Sequence, residues 1–275
     1  MTPLQSYVNN IRAVLHSWNN PLKRIENATA KDQQEKEFYD MEAQPYLDDF
    51  KLDLFLYDEN EQFPASHRYF YTQLADIKGK KILDCCCGYG FSSVKCAKYG
   101  AQVTGIDIST KMLELAQRNA ELNQVTGLAE FKLMSAQKME FTDNSFDYVI
   151  GQGALHHLNL ELAGKEISRV LKPGGKALFI EPRIPFKWLI FIRSLIPTKC
   201  LESPGGAQLS DREIEYFSRF FSSTHVEYFM FLTKLIRFPL FKKISSGLEH
   251  ADSRLSKRIK FLRKLYWAFV LEFTK

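Results

Sequence analysis

The chain has 275 residues, of which 45% are hydrophobic and 13% aromatic, and its formal net charge is +5. This is enough for one large core, or for one core with a small cap. The start of the chain has no basic segment followed by an apolar stretch, so we expect no signal peptide. The longest apolar run, residues 265–271, is far shorter than the ~20 residues of a membrane span.

The five cysteines predict free thiols. Cys85, Cys86 and Cys87 are consecutive at the end of a predicted strand, where they cannot pair with one another. Cys96 and Cys200 do not form the separated pairs that are typical of zinc or cluster sites. We therefore expect a reduced, cytoplasmic protein without a metal ion.

The first 77 residues are predicted to be mostly helical. Apolar residues recur at helical spacing between residues 8 and 18, which predicts an amphipathic first helix. A charged helix is predicted over residues 31–44. A third helix, over 66–77, leads into the first strand.

Residues 80–108 form the segment around which the chain is organised. A short apolar run ends at Asp84, a turn follows that contains Gly88 and Gly90, and a second apolar run ends at Asp107. This strand, turn, helix and strand pattern is typical of folds that hold an adenine nucleoside at the carboxyl edge of a parallel sheet. Asp107 lies 17 residues after Gly90, near the spacing at which a carboxylate binds both ribose hydroxyls.

The same alternation continues beyond this segment and predicts an α/β fold. Strands are predicted over residues 82–85, 103–106, 129–133, 146–150, 176–180, 225–233 and 266–274. Helices are predicted between them over residues 91–99, 109–122, 161–171 and 211–221. The segment from 234 to 265 is long for a hairpin loop, so we expect a helical cap there.

Several motifs resemble those of a known family. Residues 84–90, Asp-Cys-Cys-Cys-Gly-Tyr-Gly, resemble the first motif of the class I S-adenosylmethionine-dependent methyltransferases, Asp-x-Gly-x-Gly-x-Gly. The segments 144–150, 155–158 and 169–176 resemble later motifs of that family, in order and at its spacing. These later segments argue against the competing interpretation, a nicotinamide-binding fold. The chain departs from the family at Cys86, where a glycine is usual and where a small residue fits if φ is negative.

The resemblance implies a Rossmann-like, doubly wound sheet of seven strands whose last strand is antiparallel. Residues 1–77 would form a helical lid and lead-in helix, and residues 78–183 the core that binds S-adenosylmethionine. Residues 184–275 would add cap insertions and the last two strands to the same domain. A lid role for the first helices and simple packing on the sheet are both open.

The resemblance also implies a set of residues that bind the cofactor, S-adenosylmethionine, and its product, S-adenosylhomocysteine. They are Asp84, Cys86, Gly88, Gly90, Asp107, Ile108, Met112, Ser135, Ala136, Gln137 and Gln152. Many relatives have an acid at the position of Ser135, which would accept a hydrogen bond from the adenine amino group. A hydroxyl accepts this bond more weakly than a carboxylate does.

Three residues are candidates for the catalytic base. His156 and His157 follow the fourth strand, and a histidine is well suited to deprotonate an alcohol or phenol near neutral pH. Glu181, at the end of the fifth strand, is a second base or a substrate anchor. The sequence does not rank the two histidines, and one of them is expected to be structural.

The expected function is methyl transfer to an O, N or C atom of a small or lipid-like acceptor, secondary metabolism being one option. Eleven Lys or Arg and three acids lie between residues 232 and 275. This basic segment suggests either a roof over the acceptor or a peripheral contact with an anionic membrane. The alternatives are a nucleic-acid methyltransferase and a binding protein without activity. Nucleic acid is disfavoured, because the chain reads Gly151-Gln152-Gly153-Ala154 where amino-methylating relatives carry a proline-rich segment.

Overall fold

The computed structural model describes residues 28–49, 64–74, 76–183, 208–229, 232, 245–259, 262 and 265–275. The helices are α1 (Ala28–Asp48), α2 (Ala65–Thr72), α3 (Phe91–Lys98), α4 (Thr110–Leu122), α5 (Leu160–Val170), α6 (Asp211–Ser218) and α7 (Ser245–Arg258). The strands are β1 (Lys81–Cys85), β2 (Gln102–Asp107), β3 (Ala129–Leu133), β4 (Phe146–Gln152), β5 (Leu171–Pro182), β6 (Ser223–Phe229) and β7 (Ala268–Thr274). A short 3-10 turn, Leu155–His157, follows β4.

The strands form one seven-stranded sheet in the order β3-β2-β1-β4-β5-β7-β6. Strands β1 to β5 pair in parallel, whereas β7 is antiparallel to both β5 and β6. The predicted fold class is thus confirmed. The strand order reverses between β1 and β4, and in such sheets the ligand crevice lies at the carboxyl ends of the strands on either side of the reversal.

Both faces of the sheet are buried, and neighbouring residues of one strand belong to different parts of the core. Leu83 and Val149 pack into one apolar cluster, while Ile82 and Ile150 pack into another. Since successive side chains of a strand point to opposite faces, helices must cover both sides. This explains why the central strands read as continuous apolar runs.

One aromatic ring fills the space above two glycines near the ends of β1 and β2. A β-carbon on Gly105 would lie 2.7 Å from Cδ1 of Phe131, and one on Gly90 would lie 3.1 Å from the same ring. Gly90 also has a φ of 77°, in the left-handed region that glycine adopts without strain. The glycine turn and the end of β2 therefore pack tightly against β3.

The outer segments agree with the sequence predictions in part. Helix α1 contains the predicted charged helix, and α7 shows that residues 245–258 of the insertion before β7 are helical. Strand β6 begins two residues earlier than predicted, at Ser223, and residues 230, 231 and 233 of the predicted strand lie outside the described residues. The helix predicted between residues 8 and 18, the segment 184–207 and seven of the eleven basic residues of the segment 232–275 lie outside the described residues. Within the described ranges, no helix combines the length and the hydropathy that a membrane span needs.

Candidate active site

The acid at the end of β2 is held by backbone donors. Asp107 Oδ2 accepts a hydrogen bond from the Gly88 amide at 2.9 Å, and Oδ1 accepts one from the Ser109 amide at 2.9 Å. Each carboxylate oxygen keeps a second lone pair, so the same group can accept two further hydrogen bonds from a diol. Burial raises the pKa of Asp107, and the amides of Ser109 and Gly88 oppose this rise.

The acid at the end of β1 is more deeply buried. Asp84 is 2% exposed, and its Oδ2 accepts a hydrogen bond from Ser93 Oγ at 2.6 Å. Burial raises the pKa of Asp84 to about 7, because the hydrogen bond from Ser93 only partly replaces lost hydration and the charge of Asp107 disfavours a second anion. A positively charged ligand group beside Asp84 would therefore favour its ionised form.

The turn after β1 adopts a conformation that the sequence did not predict. Cys86 has a φ of 55°, in the left-handed region, so the condition of a negative φ under which a small residue was expected to fit here is not met. The chain keeps the backbone shape that a glycine would give and places a β-carbon there at a cost of about 1–2 kcal/mol. Burial raises the pKa of the Cys86 and Cys87 thiols, which are therefore neutral near pH 7.

A cavity of about 320 Å³ lies along the carboxyl ends of β1, β2, β3 and β4. It is lined by ten of the residues predicted to bind the cofactor: Asp84, Cys86, Gly88, Asp107, Ile108, Met112, Ser135, Ala136, Gln137 and Gln152. The remaining one, Gly90, lies behind the lining, against Ala116 and Phe131. The volume is at the lower end of the range for small-molecule sites.

The predicted adenine segment meets a residue of helix α1. Gln137 Nε2 donates to both carboxylate oxygens of Asp32, at 2.8 and 2.9 Å, and Ser135 Oγ lies 3.4 Å from Asp32 Oδ2. Asp32 also lines the cavity. A carboxylate of helix α1, that of Asp32, therefore lies at the end of β3, where the chain itself has Ser135 in place of an acid.

Of the three candidate bases, only His157 lines the cavity. Glu181 has no exposed surface, and its Oε1 accepts hydrogen bonds from the amides of Ala154 and Leu155 at 2.9 and 2.8 Å. Its Oε2 lies 2.6 Å from Nδ1 of His156. These contacts fix the turn after β4, which favours a positioning role for Glu181 and His156 over the base role considered from the sequence.

His157 is surrounded by groups from α1. Its Nε2 lies 3.1 Å from the hydroxyl of Tyr39, and its Nδ1 lies 3.4 Å from Oε1 of Glu35. Burial lowers the pKa of His157 more than Glu35 raises it, and the adjacent ring of His156, with centroids 4.0 Å apart, acts in the same direction as burial. The imidazole is therefore neutral near pH 7 and can accept a proton.

Helix α1 supplies site residues that the sequence analysis did not find. Asp32, Glu35 and Tyr39 all line the cavity, and their spacing of three and four residues places them on one face of the helix. Asp40 anchors this helix, since its Oδ1 accepts from Ser109 Oγ at 2.6 Å and from the Lys111 amide at 3.2 Å. The helical spacing of these polar residues was visible in the sequence, but the cavity opposite them was not.

Comparisons with known proteins agree with this geometry. The family described as "Methyltransferase domain" matches residues 83–179. A demethylmenaquinone methyltransferase of Staphylococcus aureus (strain MRSA252) is 32% identical over 204 residues, which cover 70% of this chain and 75% of that protein. The enzyme of strain JH9 is 37% identical over 131 residues, or 46% of this chain, and this match spans about half (52%) of that protein.

A solved structure shows the same fold. Geranyl diphosphate C-methyltransferase from Streptomyces coelicolor A3(2), in complex with Mg2+, geranyl diphosphate and S-adenosyl-L-homocysteine, superposes with a TM-score of 0.60 at 16% identity. The superposition covers 90% of this chain and 98% of that one. At this identity the likeness concerns the arrangement of the helices and strands.

Proposed function

Since the chain belongs to the class I S-adenosylmethionine-dependent methyltransferases, we propose that it methylates a neutral, largely apolar hydroxyaromatic acceptor with His157 as the general base. The family establishes an enzyme that uses S-adenosylmethionine and a small-molecule acceptor. The proposal concerns the class of acceptor and the residue that takes its proton.

The residues around the cavity fit the cofactor. Asp107 has lone pairs for two ribose hydroxyls, and Ile108 and Met112 offer apolar surface to a flat base. A β-carbon on Gly88 would meet nothing within 4 Å, so the turn leaves open space beside the cavity. When bound, the cofactor supplies a methyl group on a positively charged sulfonium, which needs no activation by the protein.

The pairing of Tyr39 with His157 carries the proposal. With a proton on Nδ1 facing Glu35, His157 presents the lone pair of Nε2 to the Tyr39 hydroxyl. An acceptor hydroxyl at this point can give its proton to Nε2 directly or through Tyr39. The electron pair left on the oxygen, or on the ring carbon next to it, is then available for the methyl group. Glu35 stabilises the imidazolium that forms.

The charges around the cavity favour a neutral acceptor. Asp32, Glu35, Asp84 and Asp107 line it, and among the described residues no lysine or arginine does. An acceptor that carries a phosphate or diphosphate would be repelled by these acids and would find no cationic partner there. An uncharged aromatic acceptor has neither difficulty.

The comparisons support this choice. The relative that is 32% identical is named for demethylmenaquinone, and its match covers 75% of that protein. The geranyl diphosphate enzyme is named for an anionic acceptor and was solved with Mg2+, but it shares only 16% identity with this chain.

The test is transfer of labelled methyl groups to two sets of acceptors of matched size. One set consists of dihydroxynaphthalenes with apolar substituents, and the other keeps both hydroxyls but carries a phosphate in place of one apolar substituent. We expect turnover with the first set only. In the His157→Ala variant, turnover should fall ~10²–10⁴-fold while the dissociation constant of S-adenosylhomocysteine stays the same.

His225 provides a control away from the cavity, because its Nε2 lies 3.4 Å from Oε2 of Glu227 on β6 and it does not line the cavity. His225→Ala should leave the rate of the chemical step nearly unchanged. Preferred methylation of the phosphate set would overturn the proposed acceptor class. Normal turnover of His157→Ala would overturn the assignment of the base.

A further inference from the structure

The order of the strands fixes where each part of the cofactor can lie. Asp107 is the last residue of β2 and could bind the ribose, Asp84 lies near the end of β1 with the glycine turn after it, and His157 follows β4. The base and the sulfur are attached to opposite sides of the ribose. With the sulfur directed towards β1 and β4, the adenine would lie at the end of β3, beside Ser135.

Two polar groups near this end of the cavity have fixed hydrogen-bonding directions. Gln137 Oε1 accepts a hydrogen bond from the Asn159 amide at 2.7 Å, which determines the orientation of the side-chain amide. Its Nε2 therefore points away from Asn159 and donates to Asp32. The carboxylate of Asp32 lines the cavity and is held there by a neutral donor, which leaves its charge in place.

We propose that Asp32 accepts the hydrogen bond from the 6-amino group of adenine, in the place of the acid that the end of β3 lacks. A carboxylate accepts only, so it favours an amino group and repels the 6-oxo group of hypoxanthine. Because Asp32 belongs to α1, recognition of the base depends on this helix being docked. The inference rests on the cofactor assigned above and is independent of the acceptor and of His157.

The experiment compares two ligands by calorimetry with the full chain. One is S-adenosylhomocysteine, and the other is its 6-oxo analogue, in which hypoxanthine replaces adenine. We expect the adenine form to bind about tenfold or more tightly, as a charge-assisted hydrogen bond predicts. In Asp32→Asn the side-chain amide can donate to the 6-oxo group, so the preference should disappear or reverse.

Two further variants make the test specific. Glu37→Ala changes an exposed acid on the same helix and should leave both dissociation constants unchanged. Ser135→Asp, added to Asp32→Asn, places an acid on β3 itself and should restore the preference for adenine.

The ratio of the two dissociation constants is the decisive readout, since loss of α1 docking would weaken the binding of both ligands by the same factor. Equal weakening of both ligands in Asp32→Asn, or no change in either, would overturn the proposal. If the acceptor assay failed, the ratio would still test the role of Asp32. If the ratio did not change in Asp32→Asn, the assignment of His157 as the base would still stand.

Discussion

The two walls of the cavity, the carboxyl edge of the sheet and helix α1, are held by different kinds of interaction. At the edge, Asp107 and Glu181 accept hydrogen bonds from backbone amides of the adjoining turns. Helix α1 is held mainly by side chains, through the bonds of Asp32, Tyr39 and Asp40. Its one fully buried apolar contact described is that of Ala43 against Leu115.

The two sets of bonds differ in how easily they can be broken. The edge bonds join a carboxylate to amides of turns that connect strands of one sheet, so both partners keep their places for as long as the sheet is folded. The side-chain bonds of α1 can be broken one at a time, each with a modest net free energy. We therefore expect α1 to detach at a lower free energy than the sheet unfolds.

The largest effect is expected at Asp84, at the edge. A pKa of about 7 in the fold, against ~3.9 in the unfolded chain, means that the folded protein holds this proton more tightly. Without cofactor, the free energy of unfolding should therefore fall as the pH rises from ~4 through ~7, by up to about 4 kcal/mol. Asp84→Asn should be more stable than the unchanged chain at pH 8.

Urea unfolding at pH 5 and pH 8 measures this difference. The advantage of Asp84→Asn should shrink at pH 5, where the carboxyl of the folded protein is protonated. An asparagine still accepts the hydrogen bond from Ser93, so the packing is kept. An equal difference in stability at both pH values would show that the ionisation of Asp84 does not oppose folding.

The ribose site at the edge should give the next largest effect. Asp107→Ala removes the acceptor for two hydroxyls, which should cost about 2–4 kcal/mol of binding free energy. Calorimetry with S-adenosylhomocysteine should show an affinity weakened by tens-fold or more. Glu114→Ala, an exposed acid on α4, is the control. An unchanged dissociation constant in Asp107→Ala would show that the ribose does not bind at Asp107.

A smaller and local effect is expected at the anchor of α1. Asp40→Ala removes the bonds to Ser109 and Lys111 and should weaken docking of the helix by about 1–3 kcal/mol. Amide hydrogen exchange should become about tenfold faster in α1 and stay the same in β1 and β4. The exposed Asp48 of the same helix, changed to Ala, should alter neither. Equal acceleration in the strands would mean that α1 and the sheet unfold together.

The smallest effect concerns the backbone of the glycine turn. Cys86→Gly relieves the left-handed φ and should raise the free energy of unfolding by about 1 kcal/mol. Cys87 is not among the residues with positive φ, so Cys87→Gly should lower it instead. Loss of stability in both variants would show that the buried thiol matters more than the strain.

The sequence was sufficient to predict the sheet and most of the residues that line the cavity at its edge, because both depend on local patterns. Apolar runs that end in Asp84 and Asp107 mark strands and their tips without any tertiary information. It was insufficient for the opposite wall, because the contact between Tyr39 and His157 joins residues 118 positions apart. Likewise, only the backbone shows that Cys86 is left-handed, and only the cavity and the contact of His156 with Glu181 distinguish His157 from His156.

The ring of Phe131 has a consequence for how this fold can vary. A β-carbon on Gly105 would lie 2.7 Å from this ring, whereas one on Gly90 would meet Cβ of Ala116 at 2.9 Å before the ring at 3.1 Å. Positions 105 and 131 must therefore change together. In an alignment of related chains, we expect a residue larger than glycine at position 105 only where position 131 is smaller than phenylalanine. A statistical dependence between these positions would then report a steric contact, with no role in chemistry.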